Sequence, residues 1–296
     1  MTSTPLLASY FTLAGDIVPL RDTGVSPFDF RDRVEAAGRA GFEGFGMFFA
    51  DLPTTVDRYG YAGMRSILAD NGITRLELEA LIDWFADGDR GAASMPTRRL
   101  LLQSAEALGA YHVKAAGDMS GDWPIERMTE SFAQLCDEAA VAGTRISIEV
   151  IAFSNLATID RTMAVIDGAG RPNGGLLLDI WHLVRRGVSF AEVAALPGHV
   201  VHGVELNDAA AVAEGSLFED TVFRRRFCGE GAFDIAGFVD AVRATGYQGP
   251  YGCEVLNDDI RKMPLDAVAR LAFQTTAVQL SGDAQAPYTS RSLVTS

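Results

Sequence analysis

Short apolar runs and longer amphipathic stretches alternate along the chain eight times. The apolar runs at 6–13, 44–49, 75–81, 111–116, 145–151, 175–180, 200–206 and 251–256 read as strands. Most are apolar nearly throughout, the pattern of parallel strands covered on both faces rather than of strands with one wet face. Between and after them, residues 28–40, 61–70, 97–108, 124–142, 155–167, 189–195, 234–245 and 259–279 carry helical spacing, which is weakest at 189–195.

Turn residues fall where this alternation needs them. Gly41, Gly109, Gly143 and Gly246 stand just past predicted helices, and Asn71-Gly72 closes the second; such residues supply a left-handed C-cap. Ser26-Pro27 predicts the N-cap and first position of the first helix. Eight strand–helix units with helix-length crossovers predict an α/β fold, a closed (β/α)8 TIM barrel in a single domain over 1–280. A polar stretch at 281–296 loses periodicity and reads as a surface arm or disorder. The rival doubly wound sheet lacks its phosphate cradle, because Phe11-Thr12-Leu13-Ala14-Gly15 follows the first strand where GxGxxG would stand.

Composition narrows the function classes. With 48% hydrophobic and 22% charged residues the chain can bury a full core. A formal net charge of −14 repels phosphate backbones, so no nucleic-acid partner is expected. Cys136, Cys228 and Cys253 form no CxxC pair, which predicts reduced thiols in a reducing compartment. Neither a secretory leader nor an apolar run long enough for a bilayer is visible, so a cytoplasmic protein without a membrane partner is expected.

A barrel of this kind places its chemistry at the C-terminal ends of its strands. There the chain is acidic. Glu149, Asp179, Glu205 and Glu254 end the fifth to eighth runs, each embedded in apolar sequence. Burying one unpaired carboxylate costs several kcal/mol, and clustering like charges costs more. Either each acid pairs with its own Arg or Lys, or the four converge on a cation. Convergence predicts one hard divalent ion, Mn²⁺ or Mg²⁺ ahead of Zn²⁺. Asn207-Asp208 beside Glu205 offer competing oxygen ligands. Such an ion would orient two adjacent substrate oxygens and stabilise an enediolate, with Glu149 and Glu254 as base and acid on opposite faces.

Further candidates surround these acids. His182, three residues past Asp179, is placed to meet a substrate hydroxyl, with Trp181 beside it. His112, His199 and His202 sit at strand starts and read as structural. Lys114, inside an apolar strand, suits a Schiff base or, better, a partner for the acidic ring or a substrate oxygen. Glu79 ends the third strand as a weaker polar candidate for substrate contact or a salt bridge. In the run Arg224-Arg225-Arg226, taken through Arg225, a guanidinium can grip a substrate oxygen beside the tight turn Gly229-Glu230-Gly231. Tyr10, Phe11, Phe48, Phe49, Trp84 and Trp181 can line an apolar wall or pack the core.

With these motifs in hand, the chain resembles the xylose-isomerase-like superfamily of TIM barrels, the sugar phosphate isomerase/epimerase group, over residues 6–280. The resemblance rests on Ser147-Ile148-Glu149, Leu178-Asp179-Ile180-Trp181-His182, Val204-Glu205-Leu206-Asn207-Asp208, Gly229-Glu230-Gly231-Ala232-Phe233-Asp234, and Gly246-Tyr247-Gln248-Gly249-Pro250 leading to Glu254. That superfamily includes ketose 3-epimerases, hydroxypyruvate isomerase, inosose dehydratase, 3-dehydroshikimate dehydratase and endonuclease-like repair enzymes. The resemblance implies metal ligands at Glu149, Asp179, Glu205 and Glu254, and substrate contact at His182. Its epimerase branch carries His where Glu205 stands, so this site is more negative. The implied function is a divalent-metal-dependent isomerase or epimerase of carbohydrate metabolism, acting on a ketose or related hydroxy-carbonyl compound. Two alternatives stay open: a lyase or dehydratase eliminating beta to the carbonyl of a keto-sugar, keto-cyclitol or 3-keto-glycoside, and a non-catalytic sugar-binding protein. Homodimers and tetramers are common in the resembled group, so a homo-oligomer fits as well. The trinuclear endonuclease site is histidine-rich, and four histidines mostly at strand starts do not supply it.

Overall fold

The structure is a computed structural model that describes residues 4–281. The tail expected from 281 onward therefore lies, beyond that residue, outside the described residues. Eight parallel strands close into a barrel in sequence order. They are β1 (Leu6–Ala8), β2 (Gly44–Phe48), β3 (Arg75–Leu81), β4 (His112–Ala116), β5 (Ile146–Glu149), β6 (Gly174–Asp179), β7 (Val201–Leu206) and β8 (Tyr251–Cys253). Closure comes from β1 pairing with β8 through Leu6–Tyr251, Leu7–Gly252 and Ala8–Cys253. Helices sit outside, and apolar residues of both layers form one continuous core.

Several strands stop earlier than their apolar runs predict, because the chain leaves the ladder to build the mouth. β1 ends at Ala8, and Tyr10–Leu13 turns helical. The Thr12 hydroxyl replaces the lost ladder bonds: it donates to the Cys253 carbonyl (2.7 Å) and accepts from the Val255 N–H (2.9 Å).

The helices also differ in particulars. The first begins at Phe30 rather than 28, and its N-cap is Asp29, which accepts from the Arg31 N–H at 2.8 Å. Ser26 is not a helix cap; its hydroxyl donates to the Ala14 carbonyl and accepts from the Phe28 N–H, tying down a loop. The second helix runs Leu52–Asp70 with a non-helical break at Gly60, and only the half after that break shows the period. The third, Gly88–Leu108, contains Pro96, which hid its first turns. Besides Tyr10–Leu13, two helices were not anticipated: Ile180–Arg186, capped by Asp179, and Leu217–Phe223, opened by a Ser216/Glu219 capping box. Gly41 and Gly109 are left-handed caps as expected.

The lower end of the barrel is filled by polar side chains, several of which pair with one another. His112 Nε2 lies 2.5 Å from Glu77, and its Nδ1 lies 2.7 Å from the Ser147 hydroxyl. Gly203 makes room for this ring, since a Cβ there would come within 2.8 Å of it. His202 is buried beside it, while His199 is exposed in the turn before β7. Cys136, Cys228 and Cys253 are free and buried. No helix among the described residues is long and apolar enough to cross a membrane.

His202 links this packing to pH. Burial, then the Arg145 and His112 charges, push its imidazole down from 6.5 to about 4. The fold therefore holds it neutral, and its contribution to stability is complete above 6.5 and lost as pH falls toward about 4. Urea denaturation across that window is expected to show a steeper loss for the native protein than for His202→Gln. Parallel profiles would remove this residue as the cause.

Candidate active site

The four strand-end acids of β5 to β8 meet. One carboxylate oxygen from each of Glu149, Asp179, Glu205 and Glu254 lies within 4.8 Å of every other. Register explains the meeting: Asp179 sits opposite Glu205, and Glu205 opposite Gly252, two residues before Glu254. Residues two apart on a strand share a face, so these side chains enter the same end of the barrel.

Each acid is held differently. Asp179 Oδ1 accepts from the Trp181 N–H (2.8 Å) and from the Asn207 amide (2.9 Å). Its Oδ2 accepts from Arg225 Nη1 at 2.6 Å, and the same nitrogen donates to Glu254 Oε2 at 2.9 Å. Glu205 Oε1 accepts from the Ser9 hydroxyl and from Lys114 Nζ, both at 2.5 Å. Glu205 Oε2 is buried with no hydrogen-bond partner among the described residues. Glu149 is reached by His182 Nε2 at 3.3 Å. The Ala152 N–H points at His182 Nδ1 (3.2 Å), which leaves the ring proton on Nε2, facing Glu149.

The cations are shared rather than matched one to one. Lys114 Nζ lies 2.5 Å from Glu205, 3.2 Å from Glu77 and from Glu79, and 3.6 Å from Glu254. Arg225 is clamped from behind by the Thr221 hydroxyl at 2.7 Å. Six carboxylates, Glu77, Glu79, Glu149, Asp179, Glu205 and Glu254, thus share the barrel interior with two permanent cations, leaving four formal negative charges. Burial, then Glu254, push the Glu205 carboxyl well above its usual range. Burial also raises Glu254 to about 7, Glu149 and Glu79 adding to it while Lys114 and Arg225 oppose. Burial would raise Asp179 as well, but Arg225, His182 and Asn207 outweigh it and hold it low. Excess negative charge and a buried oxygen without a partner fit the oxygen-donor set that a divalent cation takes.

The predicted residues sort cleanly in space. Glu79, Glu149, His182, Arg225 and Glu254 line one cavity of about 260 Å³ at the mouth. Glu205 and Lys114 are fully buried beneath it. Of the three arginines only Arg225 faces inward; Arg224 and Arg226 are turned toward Glu214. Trp181 does not line the mouth, which corrects the expectation of substrate contact. Its ring is fully buried, its indole N–H donates to Asp220 (2.9 Å), and Arg225 packs over its face. Trp84 is likewise buried, donating to the Ala116 carbonyl. Asp208 offers no free oxygen, because it accepts from the N–H groups of Gly229, Gly231 and Phe233 and staples that turn.

Sequence reasoning passed over Glu77, Ser9, Thr221 and Asp220. Glu77 carried a signal: Arg75, Glu77 and Glu79 alternate with leucines, which puts three charges on one face of β3. Asp220 takes the Trp181 indole and Arg185 Nε (2.8 Å), and so fixes the wall behind Arg225.

Comparisons with known proteins agree with this fold. The family model described as xylose isomerase-like TIM barrel matches residues 34–276. The chain is 30% identical over 248 residues to a 3-dehydroshikimate dehydratase of Pseudomonas aeruginosa, covering 80% of this chain and 38% of that protein. An inosose isomerase of Bacillus velezensis is 19% identical over 238 residues, covering 78% of this chain and 84% of that one. The chain spans less than two fifths of the length of the dehydratases it matches. Among solved structures, the IOLI protein with a binding zinc atom shares the fold at a TM-score of 0.82 and 17% identity, over 95% of this chain and 100% of that one.

The shared ammonium generates a stability prediction. Lys114→Met in EDTA-treated protein leaves buried carboxylates uncompensated and is expected to cost about 3–5 kcal/mol. Lys114→Met/Glu205→Gln is expected to recover a large part of that loss in a urea-denaturation cycle. A single variant as stable as the native protein contradicts the compensating role.

Proposed function

The chain belongs to the xylose isomerase-like TIM-barrel family, and on that premise we propose that it is a metal-dependent lyase acting on a cyclic hydroxy ketone. In the proposed reaction a leaving group, water in the simplest case, departs from the carbon beta to the carbonyl. The observation that carries the reading is the convergence of Glu149, Asp179, Glu205 and Glu254, with Glu205 Oε2 buried and unpartnered. The likeness to 3-dehydroshikimate dehydratases favours elimination over isomerisation.

In this reading the four acids hold one Mn²⁺ or Mg²⁺, ions that prefer oxygen donors. When bound, that ion supplies Lewis acidity toward the carbonyl oxygen. Glu254 takes the proton from the carbon beside the carbonyl. The electron pair of that C–H bond becomes the new C=C bond, and the C–O bond to the leaving group breaks. Glu254 then passes that proton to the departing oxygen, so hydroxide leaves as water, while Glu149 and the His182 N–H beside it orient that oxygen. No oxidant or reductant is required. Arg225 holds Asp179 and Glu254 in place from the wall, and Lys114 does the same for Glu205 from below.

A second reading, isomerisation or epimerisation through an enediolate, shares the first proton transfer and is favoured by the inosose isomerases. The two part at the next step: an isomerase returns the proton to carbon, and a lyase gives it to oxygen.

The test is elemental analysis followed by turnover. After EDTA treatment and reconstitution with Mn²⁺, one ion per chain is expected. Cyclic β-hydroxy ketones are expected to give a conjugated product with new ultraviolet absorbance. Glu254→Gln is expected to lower kcat by about 10²–10⁴ with the fold retained by circular dichroism. Deuterium incorporation from solvent without new absorbance points to the isomerase. A chain that takes up neither Mn²⁺ nor Mg²⁺ overturns both.

A further inference from the structure

The mouth combines an acidic floor with an apolar rim. Among the described residues, the exposed large hydrophobic side chains are Leu20, Ile82, Met119, Val141 and Val212. Leu20, Ile82 and Met119 line the same cavity as Glu149 and Glu254, although they come from three different loops. Single exposed apolar residues are ordinary, but their convergence on one concave site is not.

The rim continues inward as aromatic walls. Phe48 packs against Phe49 and Phe11 with ring centroids 4.5 and 5.2 Å apart. Phe11 follows β1, Phe48 ends β2 and Phe49 follows it. Phe153, which follows β5 on the opposite side of the closed barrel, packs against Phe218 and beside His182. Leu20 is held there at a cost: it is 70% exposed and adopts a positive φ of 62°, a conformation a leucine avoids.

Charge at the mouth is one-sided. Arg225 is the one Lys or Arg among the described residues lining this cavity, and it is committed to Asp179 and Glu254. Asp22 at the rim adds another negative charge, its carboxylate accepting from the Val18 N–H. Arg90, beyond Ile82, is committed to Asp83 and Asp118. Among the described residues lining this cavity, a distal anionic group on a substrate would find no free cation; the exposed Arg21 and Arg186 line neighbouring cavities.

From this juxtaposition we propose that the substrate is an uncharged hydroxy ketone bearing an aromatic substituent, its oxygens on the carboxylate floor and its ring between Leu20, Ile82, Met119 and the phenylalanine walls. The proposal rests on the lyase reading for the floor and on the rim alone for the ring. It separates this chain from its dehydratase relatives, since 3-dehydroshikimate carries a carboxylate. Aromatic faces and edges offer such a ring stacked and T-shaped contacts, and the floor's negative field excludes its acidic analogues.

Two sets of probes test it. The first is calorimetry of Mn²⁺-loaded protein with acetohydroxamate, benzohydroxamate and 4-carboxybenzohydroxamate, which present the same paired oxygens with different substituents. Benzohydroxamate is expected to bind roughly tenfold tighter than acetohydroxamate, and the 4-carboxylate to abolish that gain. The second is fluorescence of the neutral dye N-phenyl-1-naphthylamine with metal-free protein. The dye is expected to bind the native chain, and Leu20→Ser/Met119→Ser, with its melting temperature unchanged, to weaken it roughly tenfold. Equal affinity for all three hydroxamates, or dye binding indifferent to the double variant, overturns the proposal. Dye binding that responds to the variant, with hydroxamates indifferent to Mn²⁺, leaves the rim standing and sinks the metal reading beneath it.

Discussion

The interior of this barrel depends on one ammonium group placed among carboxylates. Lys114 Nζ reaches Glu77, Glu79, Glu205 and Glu254, and Glu77 in turn reaches His112 at the lower end. A continuous polar column therefore runs from the base of the barrel to its mouth. Burial would lower the Lys114 pKa, but Glu205, Glu77 and Glu79 outweigh it and hold the group well above its ordinary value. The column is charged, and it is not balanced. Buried ion pairs seldom add net stability, because desolvation offsets attraction. An arrangement with too few cations is a stronger statement: the excess charge is relieved by protons on Glu205 and Glu254 or by a bound cation.

Arg225 plays the matching part on the wall. It reaches Asp179 and Glu254 together, and Thr221 and the Trp181 ring hold it from behind. Glutamate at position 205, where the resembled epimerases carry histidine, fits the same scheme, since Lys114 lies against its added charge. A carboxylate at that position and an ammonium against it belong together physically. Above this charged layer the chemistry changes abruptly to leucine, isoleucine, methionine and phenylalanine. Such a boundary favours ligands that are polar at one end and apolar at the other.

Much of the fold was legible because period and punctuation agree. Eight apolar runs with capped helices between them admit few topologies, and the barrel follows in sequence order. The strand-end acids were legible for the same reason: an acid closing an apolar strand has one place to go. Misreadings fell where local pattern is silent. Gly60 and Pro96 broke or hid helical periods. The helix Leu217–Phe223 is too short for a period to show, although its Ser216/Glu219 box was visible. Trp181 was assigned to the mouth from its neighbour His182, yet adjacent residues on a helix point in different directions.

The sequence by itself determined the order of elements, the closed parallel sheet, and four acids at the ends of consecutive strands, because each follows from spacing within one run. Only the tertiary structure decided which cations meet those acids, that Arg225 rather than its neighbours turns inward, that Glu77 and Asp220 belong to the supporting network, and that three loops bring their apolar tips to one rim. Those are contacts between residues tens to hundreds of positions apart. Strand register, barrel closure and loop course create them together, and no local pattern encodes any of the three alone.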